Sequence, residues 1–406
     1  MTVRRLAIAV ALILSCTAPA PVAVPSPSAT VTQTPSSPPT ASPSPSPAFR
    51  DLTVSAAGEL RGEHALVLQL LTSAIAGVPS QPRFWDVPLD GTAPHLLVGY
   101  TRGPQGFTDF DSFDFSRQLS SDGRQLVLAD PDDVAGSGFV IVDLIAGTAR
   151  KIALATGSDQ PAWSPDGQRI AYRGFSIAGP YQQDAGIWVV SSTGGEPRHV
   201  VPSDLQAGSG AMYLYGWTAD GSGVFFGPDP NTLSVVDVQS GQVTRIGDRT
   251  SGIAVRAKPP SVAIVFYEDT PHGPLMGRVE VRSTALASPT VVARYGPTDG
   301  SFFIWPRWNP NSNELLLSWA CGEGVAPRSE LVIVDGITSR KRTQPAPGCI
   351  RSAVWSGDGT KILYTDLQAL RVRNADGSND HELFRPALPA GVSQQYVGAV
   401  IAFAPR

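Results

Sequence analysis

The chain has 406 residues, of which only 16% are charged, and its formal net charge is −4. Its 40 glycines and 37 prolines favour an all-β, turn-rich protein, because both residues are poor helix formers. The longest basic cluster is the three-residue run Arg340–Arg342, which argues against nucleic acid as a partner. The length suits two or three average domains or one large repeat domain.

The amino terminus has the pattern of an export signal. Arg4 and Arg5 precede an apolar run from Leu6 to Leu14. This run is far shorter than the roughly 20 residues that a helix needs to span a bilayer. We therefore expect residues 1–16 to direct export and not to form a permanent transmembrane anchor.

The end of this signal, Ile13–Cys16, resembles the lipobox of bacterial lipoproteins. The resemblance implies that Cys16 is lipidated and becomes the first residue of the mature chain. Leu14 departs from the family pattern, which prefers a smaller or β-branched residue there. The alternative is an ordinary signal peptide that is cleaved later, near Ala18 or Ala20.

Residues 17–48 are dominated by Pro, Ser, Thr, Ala and Val and show no apolar periodicity. Such a segment cannot form a core, and its prolines favour extended polyproline II. About 30 residues in that conformation reach roughly 90 Å. We predict a disordered tether, with a proline-rich ligand for a partner module as the alternative.

The rest of the chain repeats one short pattern, in which a large apolar residue is followed by Ser or Thr, a variable residue, Asp-Gly and an apolar run. Three copies are sharp, and they begin at Trp163, Trp217 and Trp355. With the eroded copies, the pattern begins at Leu119, Trp163, Trp217, Ala257, Trp308 and Trp355. The intervals run from 40 to 54 residues, which indicates a structural repeat.

The Asp-Gly pair is a strong reverse-turn signal, since Gly accepts a positive φ and Asp can bond the local backbone. We therefore assign a structural turn role to Asp122, Asp166, Asp220 and Asp358. Between the copies lie hairpins of alternating strands, seven in all, which begin at Arg83, Phe139, Gly186, Leu233, Gly277, Leu331 and Leu370.

Each unit of about 47 residues thus contains four short antiparallel strands. One such sheet cannot bury both of its faces, but sheets that are stacked radially cover one another. The repeat therefore predicts an all-β fold of the β-propeller type. The large residue that ends each first strand is predicted to fill the wedge between neighbouring blades, and four of these residues are Trp163, Trp217, Trp308 and Trp355.

This repeat resembles that of the TolB-like, or PD40, propellers, and the match covers roughly residues 49–406. It does not resemble true WD40 repeats, since the pair Trp85-Asp86 lacks their Gly-His partner. Seven blades are predicted if a carboxy-terminal strand ending at Phe403 pairs with His64–Leu70 and closes the ring. The family also allows six blades with an irregular amino-terminal flank.

The chain contains three cysteines, Cys16, Cys321 and Cys349. If Cys16 carries lipid, an even pair remains in an oxidising compartment, which predicts a disulfide between Cys321 and Cys349. Closing that loop could stabilise the fold by roughly 3 kcal/mol. The alternative is two unrelated buried thiols.

Signals for catalysis or cofactors are weak. There is no G-x-S-x-G pattern, and the repeat leaves no room for a hydrolase domain. The five histidines are isolated, and the acidic stretch Thr108–Ser116 lacks the loop glycine and terminal Glu of an EF-hand. We predict no catalytic residue, no metal site and no cofactor.

Three tyrosines in long interruptions of the repeat are candidates for ligand contact: Tyr181, Tyr213 and Tyr215. The alternative is that they pack against the next blade. We predict a lipid-anchored, exported propeller that binds an envelope protein, peptide or glycan without catalysis. The resemblance to TolB implies protein interaction at the envelope, but TolB's own partners do not transfer because its amino-terminal domain is absent. The alternative is a lyase or hydrolase whose site lies in the central funnel.

Overall fold

A computed structural model describes residues 49, 52–58, 62–72, 81–101, 115–130, 138–154, 157–176, 183–202, 212–227, 232–248, 250–270, 273–295, 303–319, 330–348, 350, 352–366, 368–389, 392 and 394–403. These residues contain one 3-10 helix at Phe115–Gln118 and no α-helix; all other elements are strands. Over these ranges no helix is both long and apolar enough to cross a membrane.

The strands form seven antiparallel sheets, which are the blades of a β-propeller. Blade 1 contains β1 (Leu52–Val54), β2 (His64–Thr72), β3 (Gln81–Pro88), β4 (His95–Tyr100) and β28 (Gln394–Phe403). Blade 2 contains β5 (Gln125–Ala129), β6 (Gly138–Asp143) and β7 (Thr148–Ala153). Blade 3 contains β8 (Gly157–Trp163), β9 (Arg169–Ser176), β10 (Gln183–Ser191) and β11 (Arg198–Val201).

The remaining four blades have four strands each. Blade 4 contains β12 (Tyr213–Trp217), β13 (Gly223–Gly227), β14 (Thr232–Asp237) and β15 (Val243–Asp248). Blade 5 contains β16 (Thr250–Ala257), β17 (Pro260–Thr270), β18 (Gly273–Arg282) and β19 (Thr290–Tyr295). Blade 6 contains β20 (Phe303–Trp308), β21 (Glu314–Trp319), β22 (Glu330–Asp335) and β23 (Lys341–Pro345). Blade 7 contains β24 (Ser352–Trp355), β25 (Lys361–Thr365), β26 (Leu370–Asn374) and β27 (His381–Phe384).

The ring closes as the sequence predicted. Strand β28 pairs antiparallel with β2, with His64 opposite Phe403 and Thr72 opposite Gln394. The last strand of the chain is therefore the inner strand of blade 1, and the prediction of seven blades is confirmed. Closure of this kind covers the inner edge of β2 and joins the two ends of the propeller in one sheet.

Blades 1 and 2 depart from the four-stranded plan. In the described residues the inner strand of blade 2 is reduced to a single bridge between Leu119 and Leu126, next to the 3-10 helix. Blade 1 has a fifth strand, because β1 adds to the outer edge of β4. Just beyond β1, the Ala57 amide donates to the Leu144 carbonyl of blade 2 at 2.9 Å, so this segment joins two blades.

Each Asp-Gly pair of the repeat lies in a turn that is closed by side-chain hydrogen bonds. In blade 3, Ser164 Oγ donates to Asp166 Oδ1 at 2.5 Å and accepts from the Arg169 amide at 2.9 Å. The Gln168 amide donates to the same carboxylate oxygen at 3.0 Å, and Gly167 has φ of 69°. A positive φ favours glycine, which explains the pair. The same arrangement holds Asp122, Asp220 and Asp358 in their turns.

The core lies between the blades, and each tryptophan that ends an inner strand packs into the junction with the preceding blade. Trp163 packs with Phe139 and Ile152 of blade 2, and Trp217 packs with Val189 of blade 3. Trp355 packs with Ile333 of blade 6. These three residues thus lie buried between neighbouring blades, and Trp308 packs against the cluster between blades 5 and 6.

The strand register of blade 5 corrects the predicted alignment of its eroded repeat copy. The sequence placed the start of this copy at Ala257, but the strand register pairs Val255 with Val262, as it pairs Trp163 with Ile170. Val255 therefore occupies the wedge position of blade 5. The two-residue error arose because this copy has lost both its tryptophan and its Asp-Gly turn.

Candidate functional site

The wedge position is the one that Trp163 occupies in blade 3, together with its equivalents in the other blades. A hydrogen bond identifies this position without reference to strand register. The indole Nε1 of Trp217 donates to the Ala162 carbonyl at 2.9 Å, and that of Trp308 donates to the Ala254 carbonyl at 3.2 Å. Each acceptor is the residue directly before the wedge position of the preceding blade. Trp355 repeats the pattern with the Arg307 carbonyl at 3.3 Å. Because Ala254 accepts in this series, Val255 is the wedge residue between blades 4 and 5.

A cavity of about 660 Å³ opens at this junction, and we call it the blade 4/5 crevice. Its floor is apolar and includes Phe225, Val235, Val255 and Val262. Its rims are the turns between the first two strands and between the last two strands of both blades, and Leu286 lies on the rim with 64% of its surface exposed. A volume of this size is in the range of sites that bind small molecules or peptide segments.

Two side chains distinguish the crevice from the neighbouring junction of blades 3 and 4. Valine lacks the volume of an indole at the wedge position, and the preceding blade also lacks an arginine. At the junction of blades 3 and 4, the Arg169 guanidinium lies 4.8 Å from the Trp217 ring centroid and donates to the Gly221 carbonyl at 3.0 Å. Blade 4 has Gly223 at the position of Arg169, where a side chain would approach the Val236 carbonyl to 3.0 Å.

Turn hydrogen bonds favour the ionised form of two carboxylates that line the crevice. Thr218 Oγ1 donates to Asp220 Oδ1 at 2.6 Å and the Ser222 amide donates at 3.0 Å, and these hydrogen bonds lower the pKa of Asp220. The Ser240 amide and hydroxyl donate to Asp237 Oδ1 at 2.7 and 2.8 Å and likewise lower the pKa of Asp237. Of the described residues that line the crevice, none is a lysine, arginine or histidine.

Several arginines lie near the rims without lining the crevice. Arg256 of blade 5 donates to Ser261 Oγ at 3.3 Å, and Arg169 of blade 3 reaches the Gly221 carbonyl of blade 4. Arg198 of blade 3 donates to the Gln239 carbonyl at 2.6 Å and makes a small further contribution to lowering the pKa of Asp237. Deeper in blade 5, the buried Glu280 accepts from Arg278 at 2.7 Å and from Arg282 at 2.8 Å. Burial opposes ionisation of Glu280, but the two arginines hold its pKa below the ordinary value.

The central channel contains a smaller cavity of about 280 Å³ beside the inner strands of blades 4, 5 and 6. Arg117, Tyr215 and Arg307 line it, and Arg117 donates to the Leu214 carbonyl. Gly216 has φ of 123°, and a Cβ there would lie 3.3 Å from Arg117 Cδ, so the residue must be glycine. In the described part of this wall, no carboxylate or histidine lines the cavity.

The structure locates some of the predicted site residues. Tyr215 is 7% exposed and belongs to the apolar cluster between blades 4 and 5, and the half-buried Tyr213 packs against that cluster, as the packing alternative holds. Tyr181 and all three cysteines, Cys16, Cys321 and Cys349, lie outside the described residues. In the described ranges no group of three or more His, Cys, Asp or Glu side chains could hold a metal ion.

Sequence reasoning missed the crevice. The available signal was the repeat copy of blade 5 itself, which has lost both the Trp and the Asp-Gly of the sharp copies. A missing wedge residue predicts an unfilled junction, because protein interiors are otherwise closely packed.

No family model and no curated protein matches the chain. Solved structures that are similar include dihydro-heme d1 dehydrogenase NirN, with 12% identity and a TM-score of 0.50, over 86% of this chain and 79% of that one. A protein of Agrobacterium tumefaciens named as a candidate TolB has 15% identity and a TM-score of 0.40, over 84% and 99%. Raptor of Chaetomium thermophilum has 12% identity and a TM-score of 0.46, over 67% and 24%. At these identities the likeness to NirN supports the propeller fold alone.

Proposed function

We propose that the protein is a non-catalytic binding module of the bacterial cell envelope, held to the membrane outside the cytoplasm by a lipid, which binds a protein or peptide partner in the blade 4/5 crevice. The observation that carries the binding role is the crevice itself. It is a preformed cavity with an apolar floor and polar rims, at a junction where the repeat would otherwise place a tryptophan.

The anchoring part of the proposal follows from the amino-terminal sequence. Cys16 would carry the lipid, residues 17–48 would be the spacer, and residues 49–406 would be the binding body. Labelled palmitate should enter the protein in a bacterial host, and Cys16→Ser should abolish both labelling and membrane fractionation. Labelling that survives the substitution would contradict the anchor while leaving the crevice untouched.

The same export would oxidise the proposed pair Cys321 and Cys349. Mass spectrometry of a non-reduced digest should recover one peptide pair linked through these residues. Two separately alkylated thiols in protein taken from the envelope would contradict the disulfide.

Binding in the crevice can be tested by site-specific photocrosslinking in intact cells. A photoreactive amino acid replaces Leu286 on the crevice rim, and the matched control replaces Ile337, which is 68% exposed at the corresponding turn of blade 6. We expect a discrete crosslinked product from position 286 only, and we expect it to disappear when Val255→Trp fills the crevice. Equal products from both positions, or a product that survives V255W, would contradict the site.

A further inference from the structure

We propose that the ligand of the blade 4/5 crevice is an extended peptide segment that carries a lysine or arginine side chain. This inference rests on the proposed binding role and adds to it the chemical class of the partner. It is carried by the juxtaposition of two rim carboxylates, Asp220 and Asp237, with an apolar floor and polar rims.

The two carboxylates are held in place by their turns and have acceptor capacity left for a ligand. The hydrogen bonds from Thr218 and Ser222 end on Oδ1 of Asp220, and both bonds from Ser240 end on Oδ1 of Asp237. A carboxylate has two oxygens and about four lone-pair positions, so each group can still accept from a cation. Because the turns fix both groups beforehand, ligand binding costs little side-chain ordering.

The apolar floor suits a basic side chain better than a bare metal ion or an ammonium ion. Lysine and arginine have long aliphatic stems that pack along apolar surface while the charged end stays at the polar rim. Val235, Val255 and Val262 provide such a surface below the carboxylates. Asp220 and Asp237 are the only ionisable side chains among the described residues that line the crevice, so a basic side chain can pair with them and a neutral glycan would leave them unmatched.

The rims suit a peptide backbone. Side chains of Ser222, Gln242 and Thr244 line the blade 4 side, and those of Ser261 and Thr284 line the blade 5 side. Hydroxyl and amide groups on both sides can donate to and accept from the amides of an extended chain that lies along the crevice. A free amine would use only the carboxylates and would leave this second set of groups to water.

Asparagine is the matched charge-removing substitution at both turns. All the turn hydrogen bonds to Asp220 and Asp237 end on Oδ1, and asparagine retains an Oδ1 that can accept them. The double variant Asp220→Asn with Asp237→Asn should therefore keep both turns and remove both charges.

The experiment selects short randomised peptides on the full chain, with counter-selection on the V255W variant. We expect the selected sequences to be enriched in lysine and arginine. A selected peptide is then measured by fluorescence anisotropy against the wild type and the D220N/D237N variant, where we expect about tenfold weaker binding, the effect of losing two partly exposed ion pairs. The matched control D166N/D335N removes the same two turn charges from blades 3 and 6 and should bind as the wild type does.

The outcomes separate this inference from the binding role. Peptides that need Val255 but contain no basic residue, or that bind D220N/D237N and wild type equally, would overturn the basic-peptide ligand and leave the crevice in place. Binding of a glycan that V255W abolishes, with no peptide selected, would also overturn it. Selection of no ligand that depends on Val255 would remove the proposed site as well.

Discussion

The junction of blades 3 and 4 and the junction of blades 4 and 5 share blade 4 but have opposite interiors. At the first, the Trp217 indole is buried, bonded to the Ala162 carbonyl and covered by Arg169. At the second, Val255 stands at the equivalent position and a cavity of about 660 Å³ opens beside it. The same backbone repeat therefore gives either a filled junction or an open crevice, and the two junctions differ in the wedge residue and in the arginine that covers it.

The ring tolerates the open junction because only its turn end is open. Further along the strands, the two blades still pack through Leu233, Ile253, Ile264 and Phe266, all of which are buried. Because each blade also packs against its other neighbour, the ring can stay closed although the turn end of one junction is open.

The largest expected effect comes from converting the filled junction into an open one. Trp217→Ala should lower the free energy of unfolding by about 3–5 kcal/mol, because it leaves a cavity in a packed core and an unpaired carbonyl at Ala162. Urea unfolding of the full chain measures this. The control Val255→Ala, at the equivalent position next to the existing crevice, should cost less than about 1.5 kcal/mol. Equal losses would mean that the two junctions do not differ as described.

The reverse conversion should fill the crevice. Val255→Trp is expected to raise the free energy of unfolding by about 1–2 kcal/mol, since it buries an indole in existing space. The new Nε1 can donate to the Gly216 carbonyl, which precedes Trp217 as Ala162 precedes Trp163. Thermal unfolding measures the gain, and ligand binding should be lost in the same variant. A destabilised V255W would show that the crevice does not match the other junctions in shape.

A smaller effect is expected from the arginine that covers the filled junction. Arg169→Ala removes the cation–π contact with Trp217 and the bond to the Gly221 carbonyl, and should cost about 1 kcal/mol. Arg245→Ala is the control, because its ion pair with Asp248 is exposed and should contribute almost nothing. If the two substitutions have the same effect on urea unfolding, Arg169 does not stabilise the junction.

The sequence was sufficient to predict the parts of the fold that every blade needs. Asp166 and its counterparts indicate the turn of each blade, and Trp163 and its counterparts indicate the residue at the wedge. The spacing of the copies predicts that β28 pairs with β2. Those features follow from local backbone geometry and residue size, which a short pattern encodes.

The features that sequence could not give depend on contacts between distant segments. Strand β1 adds to β4 through backbone bonds that any residue can make, so Leu52–Val54 has no distinctive pattern. The register of blade 5 could not be read off Ala257 once the Trp and the Asp-Gly pair were gone. The crevice follows from the loss of the wedge tryptophan, and Val255 is identified as its replacement by its pairing with Val262.

The smallest expected effect is the pH dependence of stability that comes from two turn carboxylates, Asp166 in blade 3 and Asp220 in blade 4. Hydrogen bonds from Thr218 and Ser222 lower the pKa of Asp220. At Asp166 burial opposes ionisation, but Ser164, Gln168 and Arg169 outweigh it and the pKa is again lowered. A carboxylate with a lowered folded-state pKa stabilises the fold above its unfolded-state pKa of about 3.9, and that contribution is lost as pH falls through the folded value.

Urea unfolding from neutral pH down to about pH 3 should therefore show a shallower acid loss in D220N than in the wild type, and a similarly shallower loss in D166N. Protonation has a second consequence at only one of the two sites. Protonating Asp220 also removes a charge from the crevice, so affinity for a basic peptide should fall over the same acid range, whereas D166N should leave that binding curve unchanged. A binding curve that is flat in acid while stability declines would separate the turn role of Asp220 from its role toward the ligand. The carboxylate would then support blade 4 as Asp166 supports blade 3, and the difference between the two junctions would reduce to the volume of the wedge residue.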